Sequence, residues 1–461
     1  MAQPRPGTLE ALAAAAPDQV VLREHGSGRT RTRAAWDEQA GALAAVLADR
    51  HGVGHGARVA ILLARPRLEL LDLVLALAKL GAVPVLLPPG ADPAPADPAV
   101  VFAAAGDGPP TGALTLEEDL PALVAGAPAG TRPLSGFRTA PRTVLATAGM
   151  PTRLLERDDT HTDATALATV AGDLLVRAGH RQGRGHLLAA APWLPATLLH
   201  ANVAALAGGE LTIVPSGRPQ DWLDALGTHE PGTAVLTPAD LAAILALPAA
   251  TLEAADTTAL DALLVAGDHL PLPHRLAAAD LLGEESVAPL YATAELGPVA
   301  LLHREALTAD PGTAGLPLQG VEVTVRGPDG TAVGRGTVGR IDARSPLRAG
   351  PADATSGDLG LRDEDGRLVV LGRRWDGWTD DDGRPVGPLR AQDAALGDPA
   401  VAAAVATADA LLVQAAADAT PDPGALADRV RATCGADAAR DLEVRVVARL
   451  ARDPLGRPVS A

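Results

Sequence analysis

The spacing of apolar and polar residues predicts a repeated strand–helix–strand order along the first third of the chain. Residues 38–53 carry apolar side chains at helical intervals and end next to a glycine, which is typical of an amphipathic helix. Residues 57–63 form a short apolar run that predicts a strand, and a helix over 68–81 leads into a second strand over 82–87. This order predicts a parallel sheet covered by helices.

The same order returns after a stretch rich in proline and glycine over residues 88–142. The pattern predicts a helix over 162–178 and another over 197–207, which stops at Gly208 and Gly209. Short apolar runs predict strands over 186–191, 210–214, 233–237 and 262–267. We therefore expect a large body in which parallel-rich sheets are sandwiched by helices.

From about residue 318 the pattern changes to short strands joined by Gly and Asp turns, which predicts a small antiparallel β section. The chain after a Gly-, Asp- and Trp-rich loop over 372–388 predicts helices over 391–396 and 424–438 and strands near 400–405, 410–415 and 442–447. The fold class that follows is α/β, with a large N-terminal body over 1–374 and a small, mobile α+β C-terminal lid domain over 375–461.

The composition favours a globular protein of the cytoplasm. The chain has 461 residues, and its 47% hydrophobic residues suffice for sizeable cores. A formal net charge of −17 opposes binding to nucleic acid and to anionic membranes. Cys434 is the one cysteine, which excludes an intramolecular disulfide and a cysteine metal cluster. The N-terminus has no charged leader followed by an apolar run, so we expect no signal peptide.

The most apolar stretch covers residues 68–87. It is interrupted by Glu69, Asp72, Lys79 and Pro84. Charges and a proline at these positions indicate a helix followed by a buried strand rather than a membrane span.

The stretch over 345–376 combines two glycine turns with opposite charges. Gly357 and Asp358 precede one predicted strand, and Gly372 and Arg373 follow the next. An Asp next to a glycine turn can accept hydrogen bonds from both hydroxyls of a ribose, and an Arg can reach the same sugar or a phosphate. The alternative is a pair of β-turns with solvated charges.

The stretch resembles the adenylate-forming superfamily of acyl-CoA synthetases, luciferases and peptide-synthetase adenylation domains. The likeness continues in the same order along most of the chain, over 56–89, 198–216, 263–271, 290–299, 315–330 and the tail ARDPLGRPV. The resemblance implies that Asp358 holds the ribose of AMP and that Arg373 lies just before an interdomain hinge. It also implies that the domain after the hinge rotates between adenylation and thioester formation.

The motif YATAE over 291–295 resembles the family's Tyr-Gly-x-Thr-Glu sequence. The resemblance implies that Tyr291 stacks on adenine and that Glu295 ligates Mg²⁺ between phosphates. Ala294 replaces the threonine whose hydroxyl meets the α-phosphate. The alternative is a buried structural tyrosine and a surface glutamate.

The family's phosphate loop resembles residues 144–152, VLATAGMPT. Such a loop binds triphosphate through backbone N–H groups, hydroxyls and a lysine. Thr147 and Gly149 fit this pattern, whereas Thr152 stands at the lysine position, so Arg153 is the candidate cation. The alternative is a plain connection between a strand and a turn.

Two further positions differ from the family pattern. Trp375 stands where the hinge aspartate is expected, which argues against ordinary domain alternation. Arg457 stands where the family has the lysine that bridges the carboxylate and the α-phosphate. The alternative for Arg457 is a solvated arginine in a frayed terminal loop. His200 lies beyond the position of a pocket histidine and is interpreted as a satisfied helix residue.

The resemblance implies an ATP-dependent ligase that activates a small carboxylic acid as an acyl-adenylate, with Arg457 and Glu295 as catalytic residues. The implied cofactors are ATP and Mg²⁺. The implied acceptor of the acyl group is the thiol of CoA or of a phosphopantetheine group on a carrier protein. The alternative is a catalytically impaired homologue that binds nucleotide or a protein partner, because the departures affect the phosphate loop, the hinge and the lysine position together.

Overall fold

The computed structural model describes residues 9–127, 133–147, 152–160, 163–206, 208–302, 312–349 and 355–459. The chain divides into two compact units. The first consists of residues 1–236 and 247–263, and the second of residues 237–246 and 264–461. The boundary expected near residue 374 falls inside the second unit and remains a prediction.

The helices and strands follow the order that the pattern predicts, with additional short elements. The helices are α1 (Leu9–Ala15), α2 (Arg33–His51), α3 (Leu68–Leu80), α4 (Asp119–Ala125), α5 (Ala164–Arg177), α6 (Pro195–Leu206), α7 (Pro219–His229), α8 (Pro238–Leu245), α9 (Ala249–Glu253), α10 (Leu272–Leu282), α11 (Pro388–Leu396) and α12 (Pro423–Asp441).

The strands to residue 265 are β1 (Val20–Glu24), β2 (Thr30–Thr32), β3 (Arg58–Leu62), β4 (Val83–Leu87), β5 (Val100–Ala103), β6 (Leu114–Thr115), β7 (Arg142–Ala146), β8 (Leu154–Asp158), β9 (His186–Leu188), β10 (Leu211–Ile213), β11 (Thr233–Leu236) and β12 (Ala262–Val265). The later strands are β13 (Val287–Thr293), β14 (Gly297–Leu301), β15 (Thr313–Pro317), β16 (Glu322–Arg326), β17 (Gly339–Arg344), β18 (Leu359–Arg362), β19 (Leu368–Gly372), β20 (Val401–Ala406), β21 (Ala410–Ala415), β22 (Glu443–Val447), β23 (Ala451–Arg452) and β24 (Pro458–Val459).

The first unit contains the parallel sheets that the sequence predicts. One sheet has the order β4-β3-β5-β6 with every pair parallel. In a second sheet, β1, β10, β9 and β11 are parallel neighbours and β2 is an antiparallel edge strand. Helices α2 and α3 end at Gly52 and Gly81, whose left-handed φ values of 63° and 66° suit glycine. The predicted glycine stops are therefore confirmed.

The most apolar stretch forms α3 followed by β4, as predicted. Within the part of the chain that the structure describes, no helix combines the length and apolar character needed to cross a membrane.

The second unit contains the antiparallel section. Strands β13 to β19 form the order β16-β17-β18-β19-β15-β14-β13, and each neighbouring pair among them is antiparallel. The section begins at β13, earlier than the residue near 318 that the sequence indicates, because β13 is buried and reads as a continuous apolar run. At Gly315 an added Cβ atom would lie 2.2 Å from the Leu301 carbonyl oxygen, so the close pairing of β14 and β15 requires glycine.

Residues after 374 have a hydrophobic core of their own. Trp378, Leu411, Leu426 and Cys434 belong to it, and α11 and α12 cover the sheet of order β20-β21-β22. Within α12, Gly435 has a non-helical backbone with φ 85°, and an added Cβ atom would lie 2.2 Å from the Thr379 carbonyl oxygen, so both features require glycine. This separate core supports the predicted C-terminal domain.

Candidate functional site

Asp358 lies where a glycine turn meets β18. Gly357 has φ 77°, and the Asp358 backbone N–H donates to the hydroxyl oxygen of Ser356 at 3.2 Å. The hydroxyl of Tyr291, near the end of β13, donates to Asp358 Oδ2 at 2.8 Å. Burial, followed by the nearby Asp358 charge, raises the pKa of Tyr291 well above its ordinary value, so its hydroxyl stays a donor at neutral pH.

Arg373 reaches the same carboxylate from the next strand. Its Nε atom lies 3.6 Å from Asp358 Oδ1, and its side chain is 80% exposed. The pairing of β18 with β19 places Leu359 opposite Gly372, so the residues just outside that pair are brought side by side. The structure therefore brings Asp358 and Arg373 together, in agreement with the spacing argument, and places Tyr291 next to them.

Glu295 lies in the turn between β13 and β14. Its backbone oxygen accepts from the Ala349 N–H at 3.0 Å, and its side chain is half-buried. Among the described residues, no group of three or more His, Cys, Asp or Glu side chains is arranged to hold a metal ion. Mg²⁺ commonly takes one or two protein carboxylates together with phosphate oxygens. The single carboxylate of Glu295 therefore suits a magnesium ion that arrives with a nucleotide.

The loop that resembles the phosphate loop connects β7 and β8 as an antiparallel hairpin. Ala146 pairs with Leu154, and the Thr147 N–H donates to the Arg153 carbonyl at 2.8 Å. The Thr147 hydroxyl accepts from the Arg153 N–H at 2.9 Å, and the Arg153 side chain is exposed. Gly149 lies outside the described residues. Thr147 and Arg153 belong to the first unit, whereas the four residues described above belong to the second.

Arg457 is part of an ordered hairpin. Strands β23 and β24 pair around the turn over 453–457, so the frayed-loop alternative is wrong for this segment. Arg457 Nε donates to Asp453 Oδ2 at 2.5 Å, and Asp453 Oδ1 accepts from the Arg457 N–H at 3.0 Å. The guanidinium NH1 lies 3.5 Å from the Gly267 carbonyl oxygen and 3.9 Å from Asp268 Oδ1. Sequence reasoning missed Asp453, although an Asp before Pro and three residues before a turn glycine is a turn signal.

Sequence reasoning also missed a contact made by the segment over 267–269, which lies next to Arg457. His269, which follows Asp268, donates through Nε2 to Asp393 Oδ1 at 2.8 Å. Asp393 lies on α11 and is 3% exposed. The two residues are 124 positions apart, so no local pattern indicates their contact.

His200 belongs to a buried group of three histidines in the first unit. Its Nδ1 lies 2.5 Å from His180 Nε2, and its ring is 6.1 Å from that of His186. The His200 Nε2 atom has no hydrogen-bond partner in the described part of the chain, so the expected satisfied helix residue is only half satisfied. Burial lowers the pKa of His180 to about 4 and that of His186 to about 3, with a smaller contribution from His180 to the latter.

This group predicts a loss of stability in mild acid. Histidine in the unfolded chain has an ordinary pKa of 6.5 and binds a proton below that pH. In the folded protein, His180 and His186 bind a proton only below about pH 4 and about pH 3. The contribution of these two histidines to the free energy of unfolding is therefore constant above pH 7 and falls by up to about 1.4 kcal/mol per pH unit per histidine between these limits. Urea midpoints from pH 7.5 to 4.5 measure this slope.

The matched variants are His180→Gln and His55→Gln. The first is expected to reduce the slope because one buried titrating ring is removed, whereas exposed His55 is expected to leave it unchanged. Equal slopes in wild type and His180→Gln would contradict the assignment.

The chain matches a known family over more than half of its length. The family model described as AMP-binding enzyme matches residues 9–100 and 160–349. The chain belongs to the AMP-binding enzymes. The resemblance to the adenylate-forming superfamily is thereby confirmed.

Solved structures share the fold. o-Succinylbenzoate CoA synthetase from Bacillus subtilis, with its acyl-adenylate intermediate, has a TM-score of 0.78 at 20% identity over 98% of this chain and 97% of that chain. ATP-bound MatB from Rhodopseudomonas palustris has a TM-score of 0.75 at 20% identity over 96% and 94%. The amide bond synthetase McbA from Marinactinospora thermotolerans has a TM-score of 0.69 at 21% identity over 95% of each. The predicted α/β fold class is therefore confirmed.

A curated relative matches a short segment. Olefin beta-lactone synthetase from Xanthomonas campestris pv. campestris is 40% identical over 94 residues, which cover 18% of this chain and 16% of that relative. The match thus spans less than a fifth of the relative's length.

Proposed function

We propose that this AMP-binding enzyme activates a small carboxylic acid with ATP to form an acyl-adenylate and pyrophosphate. The observation that carries the proposal is the group of Asp358, Tyr291 and Arg373 at the ends of β18, β13 and β19. The group offers a carboxylate acceptor, an aromatic ring and a guanidinium within hydrogen-bond or ion-pair distance of one another. A carboxylate, an aromatic ring and a guanidinium can together bind a ribose with an attached base and phosphate.

In the proposed reaction a carboxylate oxygen of the acid attacks the α-phosphorus of ATP. The bond from that phosphorus to the bridging oxygen breaks, and pyrophosphate leaves with the electron pair. Asp358 holds the ribose, Tyr291 stacks on the base, and Arg457 neutralises negative charge where the acid and the α-phosphate meet. Thr147, Gly149 and Arg153 bind the outer phosphates. The Glu295 carboxylate would hold Mg²⁺ together with the phosphates, and the ion would supply further charge neutralisation there.

Exchange of labelled pyrophosphate into ATP tests the proposal directly. A panel of fatty, aryl and amino acids is supplied one at a time with ATP and Mg²⁺. At least one acid is expected to support exchange that depends on Mg²⁺. If every acid fails at high protein concentration while calorimetry detects AMP binding, the protein binds nucleotide without turnover.

That second candidate, a nucleotide-binding homologue without turnover, is favoured by the surroundings of Arg457. The ion pair with Asp453 at 2.5 Å offsets part of the positive charge that adenylation requires. Under this candidate AMP binds, and lysine placed at positions 152 and 457 does not produce exchange.

The acceptor of the acyl group is a finer part of the proposal. We infer a thiol of CoA or of a phosphopantetheine group on a carrier protein, with transfer slowed by Trp375. The Trp375 indole packs against Leu361, Val369 and Leu371 of β18 and β19, and its Nε1 donates to the Trp378 carbonyl at 3.2 Å. A rotation at this position would break these contacts, whereas an aspartate would make none of the apolar ones.

Trp375→Asp is therefore expected to speed thioester formation with CoA by about threefold or more while leaving pyrophosphate exchange unchanged. The measurement is the ratio of the two rates, with thioester detected by mass spectrometry. Trp375→Phe is the control, because an aromatic ring remains at this position although the indole N–H and the second ring are lost. Equal ratios in Trp375→Asp and wild type would contradict the role of this residue.

A further inference from the structure

The loop over residues 267–269 receives two contacts from the C-terminal part of the second unit. Arg457 NH1 approaches the Gly267 carbonyl oxygen and the Asp268 carboxylate, at 3.5 and 3.9 Å. On the adjacent residue, His269 Nε2 donates to Asp393 Oδ1 at 2.8 Å. Gly267, which faces Arg457, is thus two residues before His269, which is hydrogen-bonded to α11.

Asp393 lies on a helix that packs into a hydrophobic core. Its neighbours Ala391, Ala394 and Ala395 on α11 pack into the hydrophobic core that contains Trp378. Helix α11 also follows a close approach, because a Cβ atom added at Gly387 would lie 2.2 Å from the Leu371 carbonyl oxygen. The loop at His269 is therefore bonded to a helix that is packed on one face against the hydrophobic core of residues 378–442.

The burial of Asp393 requires a reason other than packing. Its side chain is 3% exposed, and Oδ2 has no hydrogen-bond partner among the residues that the structure describes. A buried carboxylate with unfilled acceptor sites costs free energy that an apolar side chain of similar size would not. What Asp393 provides in return is one directed bond to His269, which is 15% exposed. A directed bond fixes the position of the loop, which apolar packing alone does less well.

The orientation of Arg457 depends on this loop. Asp453 binds the Nε side of the guanidinium at 2.5 Å and sets the direction of the side chain. On the other side of the guanidinium, the Nη1 atom lies 3.5 Å from the carbonyl oxygen of Gly267 in the loop. A displaced loop would change the distance between Arg457 and the atoms next to it, although the hairpin of Asp453 would remain intact.

We propose that His269 and Asp393 are positioning residues that hold the loop over 267–269 so that Arg457 keeps the orientation used in adenylate formation. The proposal rests on the proposed function, since the role of Arg457 in the reaction is part of it. The hydrogen bonds and the ion pair of Asp358 described above are made with Tyr291, Ser356 and Arg373, and none of them is made with α11 or the loop.

The test compares Asp393→Ala with Asp393→Asn. In Asp393→Ala the kcat of pyrophosphate exchange is expected to fall by about 10- to 100-fold, while the KM for ATP and the calorimetric affinity for AMP stay within about twofold. Asparagine retains an acceptor for the His269 N–H, so Asp393→Asn is expected to keep kcat within about fivefold of wild type. His269→Ala removes the donor instead, and it carries the same expectations as Asp393→Ala if that variant does not fold.

Hydrogen exchange followed by mass spectrometry gives a readout that is independent of turnover. Peptides that cover 264–271 and 451–459 are expected to exchange about tenfold faster in Asp393→Ala and His269→Ala, whereas a peptide that covers 355–362 is expected to be unchanged. Asp428→Ala, which removes an exposed ion pair with Arg431 on α12, is the matched control and is expected to change no peptide outside α12.

The outcomes separate this proposal from the proposed function. If the wild-type protein shows no pyrophosphate exchange, the proposed function is overturned. Hydrogen exchange of the peptides over 264–271 and 451–459 then still decides whether the bond between His269 and Asp393 positions the loop. An unchanged rate of hydrogen exchange in the peptide over 451–459, in both Asp393→Ala and His269→Ala, overturns the positioning role. A rise in the KM for ATP with kcat unchanged also overturns it, because a positioning residue for Arg457 acts on the reaction step.

Discussion

Asp358→Ala is expected to lower pyrophosphate exchange by about 100- to 10,000-fold, because two charge-assisted hydrogen bonds to the ribose are lost at about 1.5–3 kcal/mol each. The affinity for AMP is expected to fall by a comparable factor, since the ribose is bound both before and during the reaction. Calorimetry with AMP and the exchange assay measure the two effects on the same preparations.

Two controls separate this effect from damage to the fold. Asp363→Ala removes a carboxylate in the turn after β18, where it accepts from the Arg367 N–H at 2.7 Å, and it is expected to leave AMP affinity within about threefold of wild type. Tyr291→Phe keeps the ring and removes the hydroxyl that donates to Asp358 at 2.8 Å, which frees an acceptor site for the ribose. Wild-type AMP affinity in Asp358→Ala would refute the ribose assignment.

Arg457→Ala is expected to lower the kcat of exchange by about 100-fold or more, because removal of one group that stabilises developing charge typically costs this much. AMP affinity is expected to change by less than about threefold, since the proposed contact is to the reacting acid and α-phosphate. Arg457→Lys keeps the charge and loses the bond from Nε to Asp453, so exchange is expected within about tenfold of wild type.

The matched control is Arg449→Ala. Arg449 is exposed and precedes the hairpin of β23 and β24, so its loss changes the net charge equally without affecting the hairpin turn. A wild-type kcat in Arg457→Ala would show that Arg457 takes no part in the reaction. Exchange in Arg457→Lys far above wild type would instead show that the arginine limits the rate.

Local patterns accounted for most of the elements. Helices α2 and α3 end at the glycines that the sequence indicates, because a left-handed residue at a helix end is a local requirement. The approach of Asp358 to Arg373 was also predictable, since the two residues flank one strand–turn–strand unit whose register is set over a few residues.

Contacts between distant segments were not predictable. The bond of His269 to Asp393 spans 124 positions, and the approach of Arg457 to Gly267 spans 190. The burial of His180 and His186 is of the same kind, because His186 lies on a central strand whose neighbours β10 and β11 come later in the chain. Such contacts depend on which faces pack together, and a local pattern carries no information about that choice.

The sequence by itself determined the family, the order of helices and strands, and the pairing of Asp358 with Arg373, because each of these depends on short segments with their own turn and periodicity signals. Only the tertiary structure decided the surroundings of Arg457. The sequence shows an arginine in a Pro-Gly turn, and the fold places it between Asp453 and the loop over 267–269. The physical reason is that charge, burial and orientation at a site are set by residues that the chain brings together only when it folds.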